Sequence, residues 1–599
     1  MGTRGKRFSG RSPLNALVLD ASSRAAVETI QSLAKRGVQV DAAAERDCLA
    51  FRSKRLRGRL LQPSGTQTDA FLHWLLRTDR DADYSLIVPS TEISLRHFLS
   101  LPESDLLRQK AVLSSNASMQ ITLDKSLTVR LASELRIPAP KTTLVQSQDR
   151  IPACDFYPIV LKPVSSLVYK NGAVKQVHAH IAQNEFERQE ALHKMLEECP
   201  VLQQELVSGH GVGIEMLYCH GKLLWYFCHE RLHEGSGEPG LGGASSYRQS
   251  IAPNRELLTH AVAFLDAIKW HGVAMVEFKV SENGPFWLME INPRLWGSLS
   301  LSIDAGVDFP YGLLCIAAGR EVPSQPEYQI GYRTRLLFSD LEWIRNRLSY
   351  RLDEYIILEV FKLLRPLAGR ESWDYFDWGD LAVSFADFRH FVSETLKFFT
   401  RKLAKKRQRK TARKLHYVNL ERFVASKQKP RSLLFLCYGN ICRSPVAESL
   451  MRLRYPDFRV QSAGFHHTVG RASPSHIQKA ANSLGIALSN CLSQRVTADM
   501  IRDAEVVFLH DLRNYDDFCR EFPNETGKVL FLGLFLNPPM LEIQDPYDLD
   551  DMRTAEITKQ ISDAADVVAN KFQGPQTRGD VYYQLRVAQS SPGRDKRNC

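Results

Sequence analysis

A chain of 599 residues is far too long for one hydrophobic core, so several domains are expected. Its composition, 44% hydrophobic and 24% charged, is that of a globular protein and excludes a fibrous or wholly disordered chain. The formal charge of +11 gathers partly in local runs, so nucleic acid is not an expected partner, and the eleven cysteines show neither a CxxC pair nor a zinc-like Cys/His spacing. The basic N-terminus lacks a long apolar core, and apolar runs such as "VLFLGLFL" (529–536) fall far short of the roughly 20 residues needed to span a bilayer. A cytoplasmic protein with reduced thiols is expected.

"NALVLD" (15–20) reads as a strand, "RAAVETIQSLAKRG" (24–37) as a helix ending at Gly37, and "VQVDAA" (38–43) as a second strand; "SLIVPS" (85–90) is a later strand of the same unit. This β-α-β opening predicts a parallel, Rossmann-like domain over 1–115. From 116 to 325 helices mix with antiparallel strands and glycine-bearing turns, an α+β pattern. Lys125 stands at a helix start in "LDKSLTVRLASELRIPAPKT" and Lys162 at a strand end in "YPIVLKPVSS". "VLQQELVSGHGVG" (201–213) reads as a strand and a glycine-rich turn.

"VAMVEFKVSENGPFWLMEINPRLWGS" (273–298) predicts two strands around Asn283–Gly284. A turn centred there sets Glu277 opposite Glu290, with Asn292 two residues on along the same face and Arg294 next. Pro285 cannot donate a ladder bond, which favours a four-residue loop in the same register. Facing carboxylates repel unless a positive charge lies between them, and Mg²⁺ completed by nucleotide phosphates suits such oxygen ligands.

This order of elements over 14–325 resembles the ATP-grasp superfamily, with "NPRLWGS" and "DAGVDFP" (304–309) similar to carbamoyl-phosphate synthase large chains. The resemblance implies a pre-ATP-grasp domain before the ATP-grasp fold. It implies that Lys125 and Lys162 contact ATP phosphates, that Glu205, Leu206 and Val207 line the adenine, and that Glu277, Glu290 and Asn292 hold Mg²⁺. Arg294 would face the reacting phosphoryl group. Arg231, Gly242 and Gly243 would lie toward the acceptor. The implied substrates are a small-molecule carboxylate and an amine. The segment after Lys162, "SSLVYKNGAVKQVH", has one glycine where many members have several, so an alternative reading is a non-catalytic ATP-binding scaffold.

Residues 326–429 read as a helical connector ending in the basic run "RKLAKKRQRKTARK" (401–414). Such a run is a solvated face or a weak contact with an anionic membrane surface.

From 430 to 572 a compact domain is expected, followed by a disordered tail, 573–599. "SLLFLC" predicts a buried parallel strand and "SPVAESLMRLRY" a helix, with Ser444 as its cap and Pro445 in its first turn. Between them Cys437 and Arg443 are spaced C-x5-R. A loop wound at a helix N-terminus gathers backbone N–H groups into an anion site, and arginine grips two phosphate oxygens. The same positive field favours a thiolate, the form that attacks phosphorus. Asp545, held extended by Pro546, is a candidate acid for the departing oxygen.

"CYGNICRSP", "VQSAG" (460–464) and "DPY" (545–547) resemble the low-molecular-weight protein tyrosine phosphatases, in their order. The resemblance implies a small doubly wound parallel sheet and a cysteinyl-phosphate intermediate without a cofactor. Cys437 would be the nucleophile, Arg443 the phosphate clamp and Asp545 the general acid. Tyr438, Gly439, Asn440, Ile441, Cys442 and Ser444 would complete the phosphate loop, with Cys442 able to form a protective disulfide with Cys437 and Tyr547 at the mouth. The implied partner is a phosphotyrosine protein, such as a polysaccharide-export tyrosine kinase. Arsenate reduction is a minor alternative, since only Cys491 and Cys519 stand late in the domain, without paired spacing. The chain as a whole reads as an α/β multidomain fusion of a ligase-like module and a phosphatase.

Overall fold

The computed structural model describes residues 14–573, apart from 149–150, 155, 171–172, 235–244, 283, 351–368, 370, 548 and 550. Gly242, Gly243, Asn283 and the tail beyond 573 therefore lie outside the described residues. The chain divides into two compact units, Met1–Glu394 and Thr395–Cys599.

The first unit opens with a four-stranded parallel sheet in the order Leu56–Leu61, Gln39–Ala44, Asn15–Leu19, Leu86–Pro89. Asn15–Leu19 is buried along its whole length, as a run apolar on both faces requires. The following helix, Arg24–Lys35, is capped by the Ser23 hydroxyl, and the chain leaves it through Gly37 at φ +80°.

Two further sheets form the walls of a cleft. One has the order Thr142–Val145, Val201–Glu205, Ile159–Pro163, His180–Ala182, and a small hairpin, Leu167–Lys170 with Ala173–Gln176, follows Lys162. The other has seven strands, ordered Phe286–Asn292, Gly272–Val280, His210–Cys219, Lys222–Glu234, Ser245–Ser250, Arg333–Arg335, Glu371–Trp373. Helix Arg255–Ala267 turns Leu257, Ala261, Phe264 and Leu265 into the apolar core beside the central strands of this sheet.

Three expectations change. The segment expected to be a helical connector supplies two strands, 333–335 and 371–373, to the seven-stranded sheet. Their brevity and mixed composition hid them. The expected glycine-rich turn at 208–213 is instead the start of a ten-residue strand, His210–Cys219, with only Gly209 in the turn, at φ +140°. Gly211 and Gly213 answer to cross-strand crowding: a Cβ on Gly213 would lie 2.2 Å from the ring of His229.

The Glu277–Glu290 pairing is present, but not through a four-residue loop. The Ser281 N–H bonds the Pro285 carbonyl, Val280 pairs with Phe286, and a bulge at Met289 shifts the register so that Glu277 faces Glu290.

The second unit carries a parallel sheet in the order Arg459–Gly464, Ser432–Cys437, Val506–Leu509, Val529–Phe531, flanked by helices that include Arg443–Arg454 and Asp551–Gln573. Helix Leu381–Ala425 ends against it: Ala412 and Leu420 join its core, and the Asn419 amide bonds the Thr526 and Val529 carbonyls. Among the described residues no single helix is long and apolar enough to cross a membrane.

Candidate active sites of the two units

Cys437 ends the strand Ser432–Cys437, flanked on both sides by parallel neighbours. The mouth of a parallel sheet lies at the carboxyl ends of its strands, so this cysteine is delivered to the mouth. The chain then winds through Tyr438–Cys442 into helix Arg443–Arg454. Asn440 takes φ +51°, a left-handed conformation that asparagine tolerates. Its amide bonds the hydroxyls of Ser444 and Ser462 at 3.0 and 2.9 Å, and its oxygen accepts the Gln494 N–H at 2.8 Å. Gly464 lets the loop close on the sheet, because a Cβ there would sit 2.7 Å from the Tyr438 carbonyl oxygen. Ser444 does not cap the helix as expected. Cys442 is the capping residue by position, and the Ser444 hydroxyl lies 3.1 Å from Cys437 Sγ. The Asn440 backbone N–H donates to the same sulfur at 3.2 Å.

Arg443 is almost wholly buried. Its Nη1 donates to Asp511 at 2.5 Å and to the Ile543 carbonyl at 2.8 Å, and its Nη2 to Asp545 at 2.7 Å. Burial opposes its charge, but Asp545, Cys437 and Asp511 overcome this and raise its pKa. Its Nε is buried without a protein partner. His510 is kept uncharged, its pKa lowered to about 3 by burial and then by Arg443, while its Nδ1 lies 2.9 Å from the Leu436 carbonyl. Burial, with Asp545 and Cys437, pushes the Cys442 thiol far up.

A cavity of about 380 Å³ is lined by Cys437, Tyr438, Gly439, Ile441, Cys442 and Asp545, with His466, Arg471, Arg513 and Tyr547 around them. The arginines add positive charge at its rim, and the Arg513 guanidinium lies 3.5 Å over the Tyr438 ring. Neither Cys491 nor Cys519 lines it. Sequence reasoning missed Asp511, Arg471 and Arg513 as partners of this loop. The signal for Asp511 was its place just past a buried parallel strand beside the one that ends in Cys437.

In the first unit a cleft of about 890 Å³ gathers Lys162, Glu205, Leu206, Val207, Arg231, Glu277, Glu290, Asn292 and Arg294. Lys125 lines an adjoining cavity that shares Glu290, Asn292 and Arg294 with it. Arg24, from the first helix of the N-terminal sheet domain, lines both and was not expected. Lys162 Nζ bonds Gln204 at 2.8 Å, and Lys125 Nζ bonds Ser166 at 2.9 Å. Burial lowers the Lys162 pKa although Glu290 opposes it.

Glu277 takes a salt bridge from Arg231, and the Asn292 amide nitrogen lies 2.8 Å from Glu277 and 3.5 Å from Glu290. Burial raises the Glu277 carboxyl above its ordinary range even against Arg231. At Glu290 burial acts the same way, but Lys125, Lys162 and Arg231 prevail and hold it low. The site therefore has room for more positive charge between its carboxylates. The donor set fits a hard divalent cation, with Asn292 able to present its oxygen instead of its nitrogen.

Residues 432–575 match the family model for low molecular weight phosphotyrosine protein phosphatases. Over 116 residues the chain is 36% identical to the probable low molecular weight protein-tyrosine-phosphatase AmsI of Erwinia amylovora, covering 19% of this chain and 79% of that protein. It is 33% identical over 119 residues to the phosphatase Etp of Escherichia coli (strain K12), covering 20% of this chain and 79% of Etp. Through this C-terminal part the chain belongs to the low molecular weight protein-tyrosine-phosphatase family. Residues 197–337 match a second family model, ATP-grasp in the biosynthetic pathway with Ter operon. Among solved structures, N5-carboxyaminoimidazole synthetase from Staphylococcus aureus is similar at 17% identity and a TM-score of 0.43, over 56% of this chain and 86% of that one.

Proposed function

We propose that the C-terminal domain hydrolyses phosphotyrosine through a cysteinyl-phosphate. The carrying observation is the Cys437 sulfur, held between the Ser444 hydroxyl and the Asn440 N–H beside a buried Arg443. The phosphoryl group sits in the loop, gripped by Arg443 once Asp545 releases it. Cys437 Sγ forms a bond to phosphorus as the bond to the tyrosyl oxygen breaks, and Asp545 gives that oxygen its proton. Water then attacks phosphorus and passes a proton to the Asp545 carboxylate. The S–P bond breaks, and phosphate leaves. The partner is a phosphotyrosine protein, such as a tyrosine kinase of polysaccharide export. Cys437→Ser is expected to abolish p-nitrophenyl phosphate hydrolysis in a folded protein; wild-type turnover by that variant refutes the mechanism.

The first unit we read as an ATP-dependent carboxylate–amine ligase. Glu277 facing Glu290 beside Asn292 carries this reading. These three would hold Mg²⁺, which when bound neutralises nucleotide phosphates. Lys125 and Lys162 bind those phosphates, Glu205–Val207 flank the base, and Arg294 orients the phosphoryl group toward the carboxylate. Arg231 lies toward the amine. ADP release dependent on a carboxylate and an amine tests it. ATP binding without such release would favour the scaffold reading. The basic run 401–414, with Lys402–Arg407 exposed, is proposed as a weak contact for anionic membrane surfaces.

A further inference from the structure

At the end of the seven-stranded sheet, Cys219, His220 and His271 bring their ligand atoms within 4.8 Å of one another. Cys219 ends the strand His210–Cys219, and His220 and Gly221 make the turn into Lys222–Glu234 with φ +46° and +79°. A left-handed histidine is uncommon, and here it lays the ring over that of His271, with centroids 4.2 Å apart and planes 6° from parallel. The turn is tied to the neighbouring loop: the Gly221 N–H bonds the Trp270 carbonyl at 2.7 Å. The His220 N–H donates to His271 Nδ1 at 3.2 Å, so that nitrogen is unprotonated and aims its lone pair at the turn.

We infer that Cys219, His220 and His271 form a three-ligand site for a borderline-soft divalent metal of the Zn²⁺ class, with a fourth position open to water. One thiolate and two imidazoles are the donors such an ion selects over Mg²⁺. Around zinc, with bonds of about 2.0–2.3 Å, tetrahedral ligands stand about 3.3–3.8 Å apart, so closure takes an approach of about 1 Å together with rotation of the two imidazoles out of their parallel stack, which lets their in-plane lone pairs converge. His271 Nδ1 would exchange the N–H of an exposed turn, which water can satisfy, for the metal. Binding releases the Cys219 thiol proton to solvent and changes no oxidation state. The ion would fasten the tip of one hairpin to the loop that leads into Gly272–Val280, the strand carrying Glu277.

The test uses the full-length chain as Cys437→Ser, which removes the reactive thiol, stripped with a chelator and held in excess Mg²⁺ to occupy the carboxylate site. Titration with Co²⁺ is expected to give a sulfur-to-cobalt charge-transfer band and tetrahedral visible bands that saturate at one equivalent, and Zn²⁺ should bleach them. Adding Cys219→Ser should remove the charge-transfer band, and His271→Ala should weaken Co²⁺ by at least about tenfold. Zn²⁺ should raise the melting temperature of the parent and not of the Cys219→Ser form, which also reports that the variant is folded. Absence of the band at stoichiometric Co²⁺, or its persistence in Cys219→Ser, overturns the assignment.

Discussion

Replacing Asp545 by Asn separates a proton donor from a structural partner of Arg443. Asp545 bonds Arg443 Nη2 at 2.7 Å, but its side chain is 42% exposed. Arg443 is buried, but water screens the exposed carboxylate, so the pair contributes about 1 kcal/mol. Asp511 and the Ile543 carbonyl keep the guanidinium partnered when Asp545 is changed. The melting temperature of the second unit should therefore fall by no more than about 2–4 °C. The rate is another matter. Proton donation to a leaving oxygen contributes about 10²–10⁴-fold, or about 2.7–5.5 kcal/mol of barrier. Single-turnover hydrolysis of phenyl phosphate should fall by that factor in Asp545→Asn. Esters of strongly acidic phenols, which depart without a proton, should lose much less. An equal loss across leaving groups would show that Asp545 positions Arg443 rather than giving a proton. A collapse of the melting transition would show that the pair matters more to the fold than its exposure implies.

Burial keeps the Cys442 thiol protonated and close to Cys437, so mild peroxide should inactivate the phosphatase and thiols restore it; recovery as full in Cys442→Ser would rule out a disulfide between them. His416 and His510 are buried and uncharged, each with its pKa lowered to about 3, by burial first and then by Lys571 and Arg443 respectively. Unfolded histidine binds its proton near about pH 6.5, so from there down toward pH 3 the unfolded state holds more protons and stability falls with pH. Urea midpoints of the second unit should follow that slope, and a wild-type slope in a folded His510→Asn would remove His510 from the account. Saturating Mg-ATP, at about 100 times its dissociation constant, should stabilise the first unit by about 2.7 kcal/mol, and Glu290→Gln should remove most of the thermal shift. A full shift in that variant would show that Glu290 is not needed for binding.

The phosphatase loop was legible because its chemistry is local. A buried strand, a loop with Gly439 and Asn440, and a helix follow one another within a few residues, so spacing alone brings Cys437 and Arg443 together. Its supports were not legible. Asp511 and Gln494 reach the loop through tertiary structure, and nothing in their immediate sequence states their neighbour. Ser444 shows how a local rule yields: a serine at a helix start ordinarily caps it, but here its hydroxyl turns to the cysteine sulfur and the Asn440 amide. In the first unit, Gly211 and Gly213 read as a turn because the side chains that require them, Glu234 and His229, lie a strand away. The same distance hid Arg24, which reaches the cleft from the N-terminal sheet domain.

The carboxylate hairpin shows a correct register reached through a different turn. Near the turn, Val280 faces Phe286 and Phe278 faces Leu288; continued without a break, that register would set Glu277 against Met289 and turn Glu290 to the opposite face. The bulge at Met289 adds the one residue that brings Glu290, and two positions later Asn292, back to the face of Glu277. Met289 and Glu290 accordingly both line the cleft. Deleting Met289 while keeping every other residue should therefore remove the bulge and keep the pairing: Glu290 would follow Leu288 directly and face Glu277 in an unbroken ladder, and the Mg-ATP thermal shift should survive, unlike in Glu290→Gln. A melting transition without nucleotide would establish that the deletion variant folds. Loss of the Mg-ATP shift in that folded variant would mean that the bulge itself, and not the facing of Glu277 and Glu290 across the ladder, positions these carboxylates.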